Sequence, residues 1–264
     1  MNSLQVAVVR GSNDIGSAVA HAMFSAGMVV VLHDTEMPAH GRRAMAFTDA
    51  FYAGSAFLDG VPAHHFTDIE SICRSAGNVQ VVMTTALPLL RLITALRSGI
   101  VVDARMRKRS IPDDERHLAP LLIGIGPGFN AGRNCSVAIE SAWGQDLGKV
   151  IWEGPTATLA GEPQALNGAG RERYVYAPAS GTWRTPCQVG QTVKPGQIVG
   201  YLGTTAVSAP IGGTLRGLAH DNAIATERQK VVEVDPSPQA SISGLGARPS
   251  VIARGVLNAA TTRR

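Results

Sequence analysis

Ala177-Pro178-Ala179-Ser180-Gly181-Thr182 recurs 32 residues later as Ala209-Pro210-Ile211-Gly212-Gly213-Thr214. Each copy leads into short β-rich runs, and the first continues from Val189 to Val199 through the Val-Lys-Pro-Gly turn at Lys194. Two turn-plus-strand units at one offset predict a small quasi-twofold β-barrel built from a duplicated hairpin. Between the two halves, Gly203 to Ser208 carries no lysine.

The remainder of the chain is long enough for a larger domain. At 264 residues, with 45% hydrophobic and 17% charged positions, the composition is that of an ordinary globule with a sizeable core. The 29 glycines call for many tight turns and at least one close approach of backbone to ligand. Net charge is only +4 and aromatics are 5%, which argues against a nucleic-acid footprint. The densest basic cluster is Arg105, Arg107, Lys108 and Arg109; it suits an anion as well as it suits a solvated loop. Cys73, Cys135 and Cys187 are too few and too scattered for a disulfide framework and fit a reducing compartment. No signal peptide is seen, and no apolar run approaches the ~20 residues that cross a bilayer. A cytoplasmic protein is expected.

Leu4 to Arg10 is β-rich and ends at Gly11; Ile15, Val19, Ala22 and Met23 then repeat at helical spacing until Gly27. Val29 to Leu32 and Asp34 follow, completing the order of a Rossmann first unit. The G-x-G-x-x-G fingerprint maps onto Gly11, Asn13 and Gly16. Gly11 allows the tight turn and Gly16 lets helix and strand pack, whereas the Asn13 amide occupies space a pyrophosphate would use. Asn tolerates positive φ better than most residues. Asp34 lies where an acid meets ribose hydroxyls.

A second α/β stretch predicts a strand over Val79 to Met83, a helix over Leu87 to Leu96, and strands at Ile100 to Asp103 and Leu121 to Ile125. The last empties into Gly126-Pro127-Gly128-Phe129-Asn130-Ala131-Gly132, which reads either as a ligand-closing loop or as a rigid connector. Gly11, Asp34, Asp103 and this loop all fall at carboxyl ends of strands, the place where open α/β sheets bind ligands. His21 and the His64-His65 pair lack zinc-like spacing, so no metal is expected. Neither a G-x-S-x-G elbow nor a Walker A loop occurs. Cys135 reads as an inert core thiol rather than a nucleophile.

These blocks resemble one family along nearly the whole chain, the selenium-dependent molybdenum hydroxylase system proteins. Arg10-Gly11-Ser12-Asn13-Asp14-Ile15-Gly16 is similar to its R-G-A-G-D-I-A block. Asp34, Glu36, Pro38, Arg42-Arg43 and Phe47 to Tyr52 look like its acid, proline and double arginine with an aromatic-rich helix. Val102-Asp103-Ala104, Lys108-Arg109 and Gly124 to Gly132 match further elements, as do Glu140, Gly144, Leu147-Gly148, Val150-Ile151 and Glu153-Gly154. The sequence departs from the family pattern at Asn13, at Gly16 and around Ala142-Trp143. Separately, the repeat resembles biotinyl/lipoyl barrel-sandwich domains, whose carriers present a hairpin lysine that this chain lacks.

The expected architecture is therefore α/β. A Rossmann-like parallel-sheet domain spans 1–170, a small all-β barrel-sandwich domain spans 171–236, and a linker with a final helix at 237–264 packs on the first. The resemblance implies an accessory or maturation protein for a xanthine-dehydrogenase-type molybdenum hydroxylase, with that enzyme as partner. Its ligand would be NAD(P) or a molybdopterin-type dinucleotide. The residues assigned to it are Gly11, Asn13, Asp14, Gly16, Asp34, Arg42, Arg43, Asp103, Lys108, Arg109, Gly126, Gly128 and Phe129. No covalent biotin or lipoate, no nucleic acid and no membrane are expected, and a homo-oligomer is left open. An NAD(P)-dependent oxidoreductase and a non-enzymatic adaptor with a vestigial nucleotide site remain the alternatives.

Overall fold

The computed structural model describes residues 5–107, 110–159, 161 and 163–262. Valine-rich runs bounded by glycine turns form a nine-stranded sheet. Its strands in chain order are β1 (Val6–Arg10), β2 (Val29–His33), β3 (Ser55–Leu58), β4 (Val61–His65), β5 (Val82–Thr85), β6 (Ile100–Asp103) and β7 (Leu121–Ile125), then β9 (Val137–Ile139) and β10 (Val150–Ile151). Between and after these, β8 (Asn130–Ala131) and β11 (Gly154–Pro155) pair as a two-stranded ribbon. The sheet order is β10-β9-β7-β6-β1-β2-β5-β4-β3. Every pairing is parallel except those of the two edge strands, β10 with β9 and β3 with β4. The chain moves one way from β1 to β2 and the other way from β5 to β6, so the strand order reverses between β1 and β6.

Both faces of the sheet are covered, as an all-parallel core requires. Ala7, Val9, Val30 and Leu32 face α1 (Asp14–Ser25) and α5 (Ala247–Thr261), in one apolar cluster with Val19, Met23, Ile252 and Val256. Val8, Val29, Val31 and Val101 face the other way, against Ile72 of α3 (Ile69–Ala76) and Leu92 of α4 (Leu89–Leu96). The last helix thus lies against α1, although more than four-fifths of the chain separates them in sequence. Two details differ from the sequence reading. The strand expected over Val79 to Met83 is shifted to Val82–Thr85, because Thr84 and Thr85 are fully buried and paired despite their hydroxyls. The aromatic-rich helix of Phe47 to Tyr52 is a single turn, α2 (Ala50–Ala53).

Residues 174 to 235 add nothing to this sheet. They form eight strands: β12 (Tyr174–Tyr176), β13 (Gly181–Arg184), β14 (Thr192–Val193), β15 (Ile198–Leu202), β16 (Thr205–Ser208), β17 (Gly213–Leu218), β18 (Ile224–Ala225) and β19 (Lys230–Asp235). The two four-stranded sheets have the orders β12-β19-β17-β14 and β16-β15-β13-β18. Exchanging β12–β15 for β16–β19 one by one turns the first order into the second, so the repeat seen in sequence is a twofold relation in space. Trp183, Val199, Leu215, Val232 and Val234 fill one apolar cluster between the sheets. The lobes meet through the Met37 to Arg43 stretch: Leu218 N donates to Gly41 O at 2.7 Å and Ile224 N to Met37 O at 3.0 Å. Among the described residues, no helix is long and apolar enough to cross a membrane.

Candidate functional site

A concavity of about 660 Å³ lies between the lobes. Its large-lobe wall is built from the loops that leave β1 (Asn13 to Ile15), β6 (Arg105, Met106) and β7 (Pro127). That places it beyond the carboxyl ends of the strands flanking the point where the strand order reverses. The opposite wall comes from Arg173, Tyr174, Arg216, Lys230 and Glu233 of the small lobe and from the start of α5.

The β1–α1 turn behaves as the glycines predict but closes on itself. Gly11 has φ +104°, and a Cβ there would press on the Ala104 backbone. A Cβ on Gly16 would run into the Gly11 carbonyl oxygen, so both positions require glycine. Asn13, however, has φ −64° and needs no left-handed tolerance; it is the N-cap of α1. Its Oδ1 accepts from Ile15 N at 3.0 Å and Gly16 N at 3.1 Å, and its Nδ2 donates to Ala104 O at 2.8 Å. Two of the first-turn amide donors are thus taken by the protein itself.

Asp34 is likewise committed. Ser12 N donates to its Oδ2 at 2.5 Å, Thr35 N to its Oδ1 at 2.8 Å, and the His40 ring nitrogen lies 2.8 Å from Oδ2. Burial opposes ionisation of this carboxyl, yet His40 and the two amides hold it well below the usual carboxylate range. It does not line the cavity. Asp103 is committed in the same way: it is 2% exposed and accepts from Arg105 at 2.5 Å and Arg107 at 3.1 Å. Burial works against its charge and Arg105 outweighs it, leaving the carboxyl below its ordinary value.

The glycine loop after β7 is mostly a connector. Gly126 packs on Ser141 and Gly128 on Pro112, while the Phe129 ring is buried over Gly124; only Pro127 reaches the cavity. Arg43 turns to Leu218 O and Asp49 instead. Of the expected ligand residues, then, Asn13, Asp14 and Arg42 share the cavity, and Gly11 and Gly16 shape the turn beneath it. Lys108 and Arg109 lie outside the described residues. The Cys135 thiol is fully buried and burial pushes it up to about 11, so it is no thiolate.

Sequence reading missed the far wall. Glu233, 1% exposed in the middle of β19, receives three guanidinium groups. Arg42 Nε donates to Oε2 at 2.8 Å; Arg173 and Arg216 donate to Oε1 at 2.5 and 3.0 Å. Burial would raise the Glu233 carboxyl, but Arg42 and its neighbours bring it down to about 2. Arg42 also reaches Asp14 at 2.9 Å, tying the start of α1 to the small lobe. Lys230 Nζ sits 3.4 Å from the centre of the Tyr174 ring, and Arg173 lies 4.1 Å from it on its own. Arg248, in the first turn of α5, donates through Nε and Nη2 to Ser141 O.

The charge count is uneven. Among the described residues, Arg42, Arg105, Arg173, Arg216, Lys230 and Arg248 line the cavity against Asp14, Glu140 and Glu233. Glu140 spends its oxygens on the Ser141, Ala142 and Ala157 amides. Burial pulls the Arg248 guanidinium below its ordinary value, and Asp14 only partly offsets this. A cavity of this size and sign suits an anionic ligand of mononucleotide size or somewhat larger. Among the described residues, no group of three or more His, Cys, Asp or Glu is placed to hold a metal.

No protein-family profile matches the chain, and no solved structure matches it. The chain is similar to a protein of Escherichia coli (strain K12) described as "Uncharacterized protein YqeB", with 32% identity over 258 residues, covering 97% of this chain and 47% of that protein. It thus spans about half the length of the curated relative it matches.

Proposed function

We propose that the chain is an accessory protein of the selenium-dependent molybdenum hydroxylase system type, cytoplasmic, which binds a nucleotide or pterin dinucleotide between its lobes. In this reading the large lobe is a Rossmann-like domain and the small lobe a barrel-sandwich module without a carrier lysine. The motif order from Arg10 to Glu153 supports the family, and the reversal of strand order beside the cavity supports nucleotide-type binding. The observation that carries the ligand class is the cationic surplus of that cavity. Half-exposed Trp143 at its rim offers a flat face for a base or pterin.

Thermal denaturation with a panel of adenine and nicotinamide nucleotides and pterin dinucleotides tests the reading. A ligand at ~100 times its dissociation constant adds ~2.7 kcal/mol. For a chain of this size the melting temperature rises by roughly 5–10 °C. Co-purification with a molybdenum hydroxylase tests the partner. A panel without any shift, together with no such association, sinks the proposal. Turnover of a reduced nicotinamide would move the assignment to an oxidoreductase.

A further inference from the structure

The β3 edge of the large sheet is open, and its hydrogen-bonding groups fit a copy of themselves. β3 ends the sheet order and pairs with β4 on one side only. Asp59 and Gly60, both with positive φ, form a two-residue turn that pairs Leu58 with Val61. In an antiparallel pair every second residue then bonds across, so Ala56 follows Leu58 and Gly54 O accepts from His65 N at 2.9 Å. Pro62, which has no N–H, stands opposite Phe57, where no bond is required. The N–H and C=O groups of Ser55 and Phe57 therefore point away from the sheet. Ser55 is exposed, and Phe57 is 71% exposed, more than any other aromatic side chain among the described residues.

Edge strands are normally blunted by a charge, a proline, a bulge or a covering element. Ser55-Ala56-Phe57-Leu58 is uncharged and proline-free, and its register with β4 is unbroken. The nearest charge in sequence, Asp59, is spent on Leu245 N at 2.9 Å. The opposite edge, β10, is only two residues long. The large sheet thus has one edge fit to receive a strand.

Symmetry says which strand. A twofold axis at Ala56 lays β3 antiparallel to β3 of a second copy, so that Ser55 of each faces Phe57 of the other and every outward group is paired. Shifting the register either way would oppose these residues to Ala53, which ends α2, or to Asp59 of the turn, and neither is extended. On one face Ala56 meets Ala56 without bulk. On the other, the two Phe57 side chains become diagonal neighbours at about 7–8 Å, within reach of aromatic rings. The exposed ring finds its complement in its own copy, and the neutral strand imposes no like-charge repulsion although the chain carries a net charge of +4.

We infer that β3 is a homodimer interface: two copies join edge to edge through Ser55 to Phe57 and continue one sheet across both. An isologous contact of this kind closes at two copies. No residue of β3 lines the cavity, so the inference stands apart from the ligand reading.

Sedimentation equilibrium of the full chain over a concentration series tests it, with a monomer–dimer equilibrium as the expected result. Phe57→Lys places two like charges at the diagonal positions and should weaken dimerisation about tenfold or more. Tyr201→Ser, at an exposed aromatic of the small lobe, should leave it unchanged. The register has its own test in a Cys73→Ser chain, which removes the exposed native thiol. There Ala56→Cys, treated with oxidised glutathione, should give a disulfide-linked dimer as the glutathione disulfide is reduced to two thiols. Ser55→Cys, whose copies are diagonal, should not cross-link. A monomer at every concentration overturns the inference and leaves the edge to a strand of another protein. A dimer that Phe57→Lys leaves intact, or that Ala56→Cys does not cross-link, lies at another surface and overturns it as well.

Discussion

The two walls of the cavity differ in how completely protein groups answer one another. On the α1 side the cap and the acids have protein partners: Asn13 caps the helix, Asp34 holds Ser12 and His40, and Asp14 meets Arg42. On the α5 side, Glu233 is the single acidic hub for three arginines, and Arg248 has only a carbonyl. A wall whose charges outnumber their counter-charges is kept at a cost to stability, which is why the proposed ligand is assigned to it.

The hub should be the costliest place to break this contrast. Glu233→Gln removes the counter-charge that Arg42, Arg173 and Arg216 share, leaving Asp14 beside Arg42 and Asp235 3.9 Å from Arg216. Removing one partner of a buried pair costs about 3–5 kcal/mol, so the melting temperature should fall by roughly 6–20 °C. The same residue sets the acid response. Its folded carboxyl is held at about 2, below the ordinary value of 4.5, so its contribution is fully present above that value and is lost as pH falls through about 2. Urea midpoints measured down this range should drop in the wild type and much less in Glu233→Gln.

Gly16→Ala tests the satisfied wall. Its Cβ runs into the Gly11 carbonyl, and forced overpacking costs about 1–3 kcal/mol, readable in the urea midpoint. Asn13→Ala should cost about 1 kcal/mol by loss of the cap, and Asn13→Gly only a few tenths. On the open wall, Arg248→Gln should move ligand-free stability by about 0.5 kcal/mol or less in either direction, although it abolishes a charge. A loss as large as that of Gly16→Ala would mean that Arg248 is structural and that the contrast between the walls is false. The smallest effect is none. Co-expressed with biotin or lipoate ligases, the chain should keep its sequence mass, because Gly203–Thr204 at the hairpin tip has no lysine and Lys194 lies in a different turn.

The large lobe was legible where its signals are local. The β1–α1–β2 order, the two required glycines and the acid after β2 all sit within one stretch, and periodicity finds them. The repeat was legible for the same reason. The cavity was not, because Arg42 meets Glu233 across 191 positions and Arg173 meets it across 60. One signal was present: Lys230-Val231-Val232-Glu233-Val234-Asp235 is a strand with an acid flanked by valines, an unusual place for a charge unless other chains of residues bring partners to it. Asp34 and Asp103 misled for a related reason. Their positions at strand ends were right, but neighbouring arginines, His40 and backbone amides had already claimed their oxygens.

The exchange of strands in the small lobe carries a consequence for its ancestry and its dissection. Each sheet takes two strands from residues before Gly203 and two from residues after it, so neither half owns a complete sheet or a closed interior. A single half is therefore a subunit rather than a miniature, and an isolated half is expected to need a second copy to complete its sheets. The two halves are arranged as the subunits of a symmetric dimer are, joined here in one chain by the Gly203–Thr204 turn.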